Sequence, residues 1–511
     1  MTAAGMSRLN RSVGSVRGRR VSRVLLFITA APLVGALLIE SPLPASTRFI
    51  GSILWILCLA PALLYSAQDK RIRRPLPFLP SIGIAYGLYF VLPLVLGGYN
   101  RYLEIQLNPK VDYDYPITLA LCGWLCVLGM YYLAGEFWSR VKIRRAPKPW
   151  GQQRIVSWGF LLLFGALVIA AVVTVWISGV ASPAILQFVL SLQWLGIAFL
   201  TVAARRKLLG RVKLLAFILG TLITIGLTLA SGSMAPMIQM GTVIAYALFL
   251  SGARIQARWI VLAAAVLGLA MSARGVAMEF RAATWFATQK MSAEERARLM
   301  LKLLQTKTET TGFLPTLVHG ADVTSQRSAD LDLMADVVKR TPSEVPYWDG
   351  YTYRSLIGAP IPRVLWPDKP TKEVGNAFGH RYGYLRWSNL VTSINLPFLV
   401  EFYLNFGLAG VLIGMAIVGA TYRTLDELVN HPSQDILTSL IGVILLVPLL
   451  MLESDFSLTF GGLFLNGMAL YAIAYFIRHS GTITTRLPFP NYPALGPGVA
   501  SAMRRSARAR L

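Results

Sequence analysis

Charge is scarce in this sequence, and so are cysteine and histidine. Only 14% of the 511 residues are Asp, Glu, Lys or Arg, while 55% are hydrophobic; soluble domains carry about 25% charged residues. That scarcity excludes an ordinary water-soluble domain: the chain has too little polar surface to cover its apolar side chains, and lipid must solvate much of the remainder. Acids are the scarcest charged class, 24 against 49 Lys and Arg, for a formal net charge of +25. In a chain this apolar the basic excess marks the cytoplasmic ends of membrane spans, so no nucleic-acid partner is expected. The three cysteines, Cys58, Cys122 and Cys126, all lie in apolar stretches, which argues against a disulfide framework and leaves them as small packing residues. Four histidines, at positions 319, 380, 431 and 479, show no ligand spacing, and no metal site is expected.

What the sequence has in abundance is long apolar runs. A bilayer crossing needs roughly 17–25 such residues, or slightly fewer where flanking side chains snorkel. Runs of this kind fall at about 24–39, 49–66, 79–97, 115–135, 155–176, 182–203, 211–230, 235–251, 257–273, 396–420, 436–452 and 458–477. Each must be helical, because hydrocarbon offers no water to a broken backbone. The expected fold is therefore all-α, a polytopic transmembrane helix bundle of about 12 spans. The first run follows Arg19, Arg20 and Arg23 and has the look of a signal peptide, but a second run arrives so soon after it that a retained helix is the expectation.

The basic residues orient the bundle. With the N-terminus cytoplasmic, 30 of the 49 Lys and Arg fall in cytoplasmic segments, and the short outer connections hold only Arg48, Arg101 and Lys110. The rest lie in one long connection, where the positive-inside rule loses force. The expected organisation is a basic cytoplasmic tail over 1–23, nine spans over 24–273, a large extracytoplasmic loop over 274–395, three spans over 396–477 and a basic cytoplasmic tail over 478–511. The two tails are expected beside anionic headgroups, with membrane lipids as partners. No internal repeat relates the two halves, which lowers the expectation of a secondary transporter.

A connection this long is where function is expected to sit. Ser292 with Glu295 three residues on is a capping pattern, and 292–305 is expected to be a helix on the membrane surface or covering the bundle. A second helix is expected over 328–339; its Asp330-Leu331-Asp332 is a weak match to a metal–nucleotide Asp-x-Asp and is expected to be a solvated helix face. The informative stretch is 345–410, an irregular, aromatic-rich segment that holds Arg354, Arg363, Lys369, Lys372, Arg381 and Arg386, with His380 among them. Aromatic faces suit sugar rings and guanidinium forks suit phosphate oxygens. Glu401 follows, inside the tenth span beside Tyr403 and Asn405, and an ionisable group in a span is a functional hypothesis by default. The alternative for Glu401 is a structural carboxylate paired with a loop arginine. Glu453 and Asp455 join it at the outer end of the next span, and Ser231 and Ser233 at the end of the seventh.

The run IPRVLWPDKP, then a Gly-Asn-x-Phe-Gly-x-x-Tyr stretch, then SINLPFLVEFYLNFGLAGVLIG resembles the Wzy-type O-antigen and exopolysaccharide repeat-unit polymerases, as does the upstream TPSEVPYWDGYTY. The resemblance covers about 341–414; elsewhere the likeness is in hydropathy and in the single large outer loop. Many members carry an arginine after a Ser-Gly-Ser turn, where Met234 stands here, so that role would pass to Arg274 or Arg281. The resemblance implies a GT-C-like glycosyltransferase at the outer face of a bacterial cytoplasmic membrane. It would join polyprenyl-pyrophosphate-linked oligosaccharides without metal, nucleotide or other cofactor. Glu401 or His380 would be the general base. Arg274, Arg281, Arg354, Arg363, Lys369 and Arg381, with Tyr403 and Asn405, would bind pyrophosphate and glycan. A chain-length regulator and other polysaccharide-export proteins are the partners such a polymerase implies. The rival readings are an O-antigen-ligase-like transferase with the same donor, a polysaccharide or lipid-linked-sugar transporter, and a non-catalytic scaffold. A transporter would place its charges near the membrane midplane, and here they gather at one mouth.

Overall fold

The computed structural model describes residues 43–69, 73–96, 112–141, 152–176, 183–230, 235–252, 291–312, 314–316, 330–354, 374–390, 392–432 and 434–479, with Gly35, Val276, Glu279, Phe280, Ala283, Thr284, Leu356 and Trp366 beside them. Among these residues the fold is entirely helical, with no strand. Seven helices are long and apolar enough to cross a membrane: α1 (Ala45–Ala67), α4 (Asp114–Arg140), α5 (Gln152–Trp176), α6 (Pro183–Arg205), α7 (Arg211–Ala230), α12 (Phe398–Val429) and α14 (Phe456–His479). Three shorter apolar stretches accompany them: α2 (Phe78–Phe90) with its continuation α3 (Leu92–Leu96), α8 (Ala235–Leu250) and α13 (Ile436–Leu449). This is a helical membrane protein. The expected spans at 24–39 and 257–273, apart from Gly35, lie outside the described residues.

Close approach of backbones holds the bundle. Helices α4 and α12 share the most extensive contact, and it runs over Gly419, where a Cβ would meet the Val127 backbone. Helices α5 and α6 meet in the same way: a Cβ added at Gly196 would lie only 2.6 Å from Leu163 N. In lipid there is no hydrophobic drive between helices, so small residues that admit van der Waals contact decide which pairs form. Helix α12 departs from expectation in two ways. It runs to Val429, well past the expected end at 420. It also breaks at Phe406–Gly407, where Gly407 takes φ +60°, ψ −145°, a conformation open in practice to glycine.

The long connection is folded onto the bundle. Helix α9 (Ala293–Thr311) has the capping box, with Ser292 accepting from Glu295 N and Glu295 accepting from Ser292 N, and it packs on α7. Helix α10 (Asp330–Arg340) contacts α2, α3, α4 and α12, and α11 (Val374–Arg381) follows. The solvated face expected for Asp330-Leu331-Asp332 is a correction: Asp330 is 3% and Asp332 1% exposed. The physical reason is that α10 is apolar on two sides, Leu331, Met334, Ala335 and Val338 on one and Leu333 and Val337 on another, so spans cover it around most of its circumference.

Candidate functional site

The N-terminal end of α12 gathers a buried polar cluster. Glu401 is fully buried. Its Oε2 accepts the Phe456 N–H at 2.5 Å, at the start of α14, and its Oε1 makes no hydrogen bond among the described residues. Asp455 stands near enough to repel it. One turn on, Asn405 Nδ2 donates to the Glu401 carbonyl and to Thr352 Oγ1, both at 2.8 Å, while its Oδ1 accepts the Gly350 N–H at 2.9 Å. Ser457 Oγ closes the set by donating to the Thr352 carbonyl at 3.1 Å. The turn Tyr351–Tyr353 is thereby pinned between α12 and α14. Burial, and after it the Glu401 carboxylate, raise the Tyr353 phenol pKa.

An apolar cavity of about 510 Å³ opens beside this cluster, lined by Tyr353, Phe402, Phe406, Gly410, Gly414 and Phe456 among others. A second, of about 550 Å³, follows α12 as far as Thr424, and Ile413 and Ile417 line both. Ala409, Gly410 and Gly414 in the first and Ala416 and Ala420 in the second make these two open grooves by leaving space. From Phe406 to Thr424 the helix rises about 27 Å at 1.5 Å per residue, close to the thickness of a hydrocarbon core.

The α10 aspartates form a second acidic group. Asp332 Oδ1 accepts from Tyr113 Oη at 2.5 Å, and the outer oxygens, Oδ2 of both Asp330 and Asp332, are buried without a hydrogen bond among the described residues. Burial pushes Asp332 up to about 7 against the pull of the Tyr113 hydrogen bond. Burial, with Glu453 and Asp332 adding to it, raises Asp330 as well. Asp336 is satisfied: it accepts from Tyr384 and pairs with Arg340 at 3.4 Å. Glu453 Oε2 accepts from Asn395 at 2.7 Å.

Of the residues expected in the site, the structure brings Glu401 and Asn405 together. Tyr403 is buried against α4, edge-on to Tyr115 with ring centroids 6.4 Å apart. Arg354 is exposed and lies over the Tyr351 ring at 5.0 Å; Arg381 is exposed and lies over Trp348 at 4.8 Å. His380 stacks on Trp387, and neither ring nitrogen makes a hydrogen bond among the described residues, so it is not joined to Glu401. Arg274, Arg281, Arg363 and Lys369, and with them Lys372, Ser231 and Ser233, lie outside the described residues. No arginine pairs with Glu401 among the described residues; backbone and amide groups hold it. Thr352, Ser457 and the Phe456 amide were not expected, and nothing in their spacing announces them. The α10 acids did carry a signal, the double apolar stripe around them.

A second polar cluster, also unexpected, closes the C-terminal end of α12. Arg74 pairs with Asp426 at 3.2 Å and with Glu427, and donates to the Asp426 carbonyl at 2.7 Å. Arg423 reaches Glu427 at 3.2 Å, and Tyr131 donates to Asp426. Asn430 donates to Asp426 at 2.6 Å and exchanges hydrogen bonds with the Leu76 backbone. Spacings of three and four residues put Arg423, Asp426, Glu427 and Asn430 on one face, the pattern from which this cluster was readable.

The comparisons with known proteins narrow the family and nothing more. A family model described as a domain of unknown function (DUF8712) matches residues 82–431, more than half of the chain, and the chain belongs to that family. The match spans both ends of α12 and the whole of α10. No curated protein and no solved structure matches the chain.

Proposed function

We propose that this DUF8712 protein is a GT-C-like membrane glycosyltransferase of about twelve spans that joins polyprenyl-pyrophosphate-linked oligosaccharide repeat units at the outer face of the cytoplasmic membrane. Both termini would be cytoplasmic and the 274–395 connection outward, as the distribution of basic residues argues. The observation that carries the reading is Glu401: a wholly buried carboxylate with one oxygen held and the other without a full hydrogen bond among the described residues, beside an apolar groove. The two grooves along α12 have the apolar lining a lipid chain needs, and the carboxylate has an oxygen to offer an acceptor hydroxyl.

In this reaction the acceptor hydroxyl gives its proton to Glu401 Oε1 while its oxygen attacks the anomeric carbon of the donor. The bond from that carbon to the pyrophosphate oxygen breaks, and polyprenyl pyrophosphate leaves with the electron pair. The Phe456 N–H holds the carboxylate, and Asn405, bonded to the Glu401 main-chain carbonyl and to Thr352, fixes the backbone beneath it, which is the preorganisation that makes a general base effective. Arg354, two residues from Thr352, and Arg381 would meet the departing pyrophosphate as charge develops on it. Transfer of a finished glycan to a lipid, the ligase reading, would use the same groups, and no observation favours it over polymerisation.

The test is a polymer ladder measured beside the level of folded protein. Glu401→Gln keeps an acceptor for the Phe456 N–H but cannot take the proton. Polymer should be lost by at least about a hundredfold, the range general-base removal covers, while lipid-linked repeat units accumulate and the protein folds. A normal ladder from normally folded Glu401→Gln protein would remove Glu401 from the chemistry.

A further inference from the structure

Residues 348–354 and 380–387 carry a series of ring and guanidinium contacts built around the buried Trp348. Arg354 lies over the Tyr351 ring at 5.0 Å; Tyr351 meets Trp348 edge-on at 5.8 Å; Arg381 lies over Trp348 at 4.8 Å. Next to Arg381 in the chain, His380 stacks on Trp387 at 5.0 Å with the rings 4° from parallel. Trp387 is nonetheless 79% exposed and Tyr351 49%. An indole held flat by an imidazole on one side and exposed elsewhere is a platform without a partner among the described residues.

We propose that this series of rings and cations is a binding track for an acidic glycan chain, the polymer itself. This rests on the polymerase reading above and adds to it the chemistry of the polymer: sugars with flat C–H faces that also bear carboxylate or other anionic groups. Each part of the series matches one of those features. Ring faces take the apolar side of a pyranose, and guanidinium planes take anionic oxygens in a fork. Arg381 is set in place beforehand, tied to the Pro346 carbonyl at 2.9 Å as well as to its ring, while Arg354 has its ring contact alone among the described residues. Groups already held lose little entropy when a ligand arrives. Charge points the same way. Arg354, Arg381 and Arg386 are exposed there; Asp349 is the acid in the same turn, and Glu344 is engaged by Arg340. A lipid-facing anchor, the other use of an exposed Trp387 beside the 75% exposed Leu390, needs no such series of ring-stacked cations.

The test reads binding without turnover. Full-length protein in detergent is titrated calorimetrically with hexagalacturonate, hexamannuronate and neutral maltohexaose. At least one uronate should bind about tenfold or more tightly than maltohexaose, and this preference should fall as salt rises. Trp387→Ala should weaken uronate binding about tenfold, a ratio equal to about 1.4 kcal/mol, while Trp387→Phe, which keeps a ring, stays within about threefold of wild type. Arg381→Gln should erase the preference for uronate over maltohexaose. Failure of both uronates to bind, or equal binding by wild type and Trp387→Ala, overturns the track. So does quenching, in nanodiscs of brominated phosphatidylcholine, of the fluorescence that Trp387→Phe removes, because that result makes Trp387 a lipid anchor. A failed track leaves the Glu401 ladder unaffected, and a failed ladder leaves uronate binding intact, so the two failures are distinguishable.

Discussion

The two ends of α12 hold similar numbers of buried acids and treat them in opposite ways. At the C-terminal end Asp426 and Glu427 are surrounded by Arg74, Arg423, Tyr131 and Asn430, and every carboxylate is matched by a cation or a donor. At the N-terminal end Glu401 has one backbone amide, the Thr352 hydroxyl and a second acid for neighbours, and an oxygen with no full hydrogen bond among the described residues. A buried carboxylate is stable when its lone pairs are engaged and is otherwise expensive. The first end is therefore a clasp that ties the segment after α1 to the end of α12. The second keeps an unmet acceptor, which a clasp has no reason to keep and a reacting site does.

Breaking the clasp should produce the largest change in stability. Arg74→Met leaves Asp426 buried with its main cation gone, and severing one side of a buried pair costs about 3–5 kcal/mol. Because Arg74 is 19% exposed, a value near 3 kcal/mol is expected, seen as a marked fall in the melting temperature of the detergent-solubilised protein. Glu401→Gln should change the same melt by less than about 1 kcal/mol, since no cation loses its partner. Equal losses for the two substitutions would erase the distinction and make Glu401 a structural group.

The α10 aspartates offer a comparison in pH. Asp332 sits at about 7 in the folded protein, against about 3.9 in an unfolded chain. Between those values the folded state holds a proton that the unfolded state has released, so stability is greatest at the acid side and falls as pH rises from about 4 to 7. Linkage over that window sets a ceiling of about 4 kcal/mol, and relaxation around the group brings the expectation to about 2 kcal/mol. Asp332→Asn should remove its own share of the decline, roughly half, and melt higher than wild type at pH 8; Asp330, also raised, keeps a comparable slope. A wild-type profile that is flat, or that rises over this window, would mean that Asp332 is ionised and paired.

Much of the architecture was legible because lipid imposes one requirement on every span. Ten of the expected runs coincide with described helices, and the Ser292–Glu295 box was readable because a cap is a local matter. The break at Gly407 was not legible. A glycine inside an apolar run has the same appearance whether it packs, as Gly419 does, or kinks. In the site, Glu401 and Asn405 stood out as polar groups inside a span, but their partners, the Phe456 amide and Thr352, come from segments about fifty residues away in either direction. No pattern of spacing can show a backbone amide aimed at a side chain. The pairing in the clasp was not legible for a related reason: the acids that take up the charge of Arg423 and Arg74 lie on the same helix as one and some 350 residues from the other.

The smallest expected effect lies between the two ends and decides whether they act separately. Gly407 takes a backbone conformation that a side chain resists, and a Cβ there would meet Tyr347 Oη at 2.8 Å. Gly407→Ala should cost about 1–2 kcal/mol, less than the full range for such strain because the end of the Tyr347 side chain can move. The consequence should fall on one side. The Trp348 N–H bond to the Leu404 carbonyl at 3.0 Å and the Gly350 N–H bond to Asn405 hold the Thr352 turn beside the break, so Gly407→Ala should reduce polymer yield at normal protein levels. Asp426 lies nineteen residues further on, about 28 Å along the helix, too far to share a strained backbone. Stability losses from sites this far apart add to within about 0.5 kcal/mol. The double variant Gly407→Ala, Arg74→Met should therefore lose the sum of the two single losses. A coupling above about 1 kcal/mol would mean that α12 transmits strain along its length and that the clasp and the site are one device.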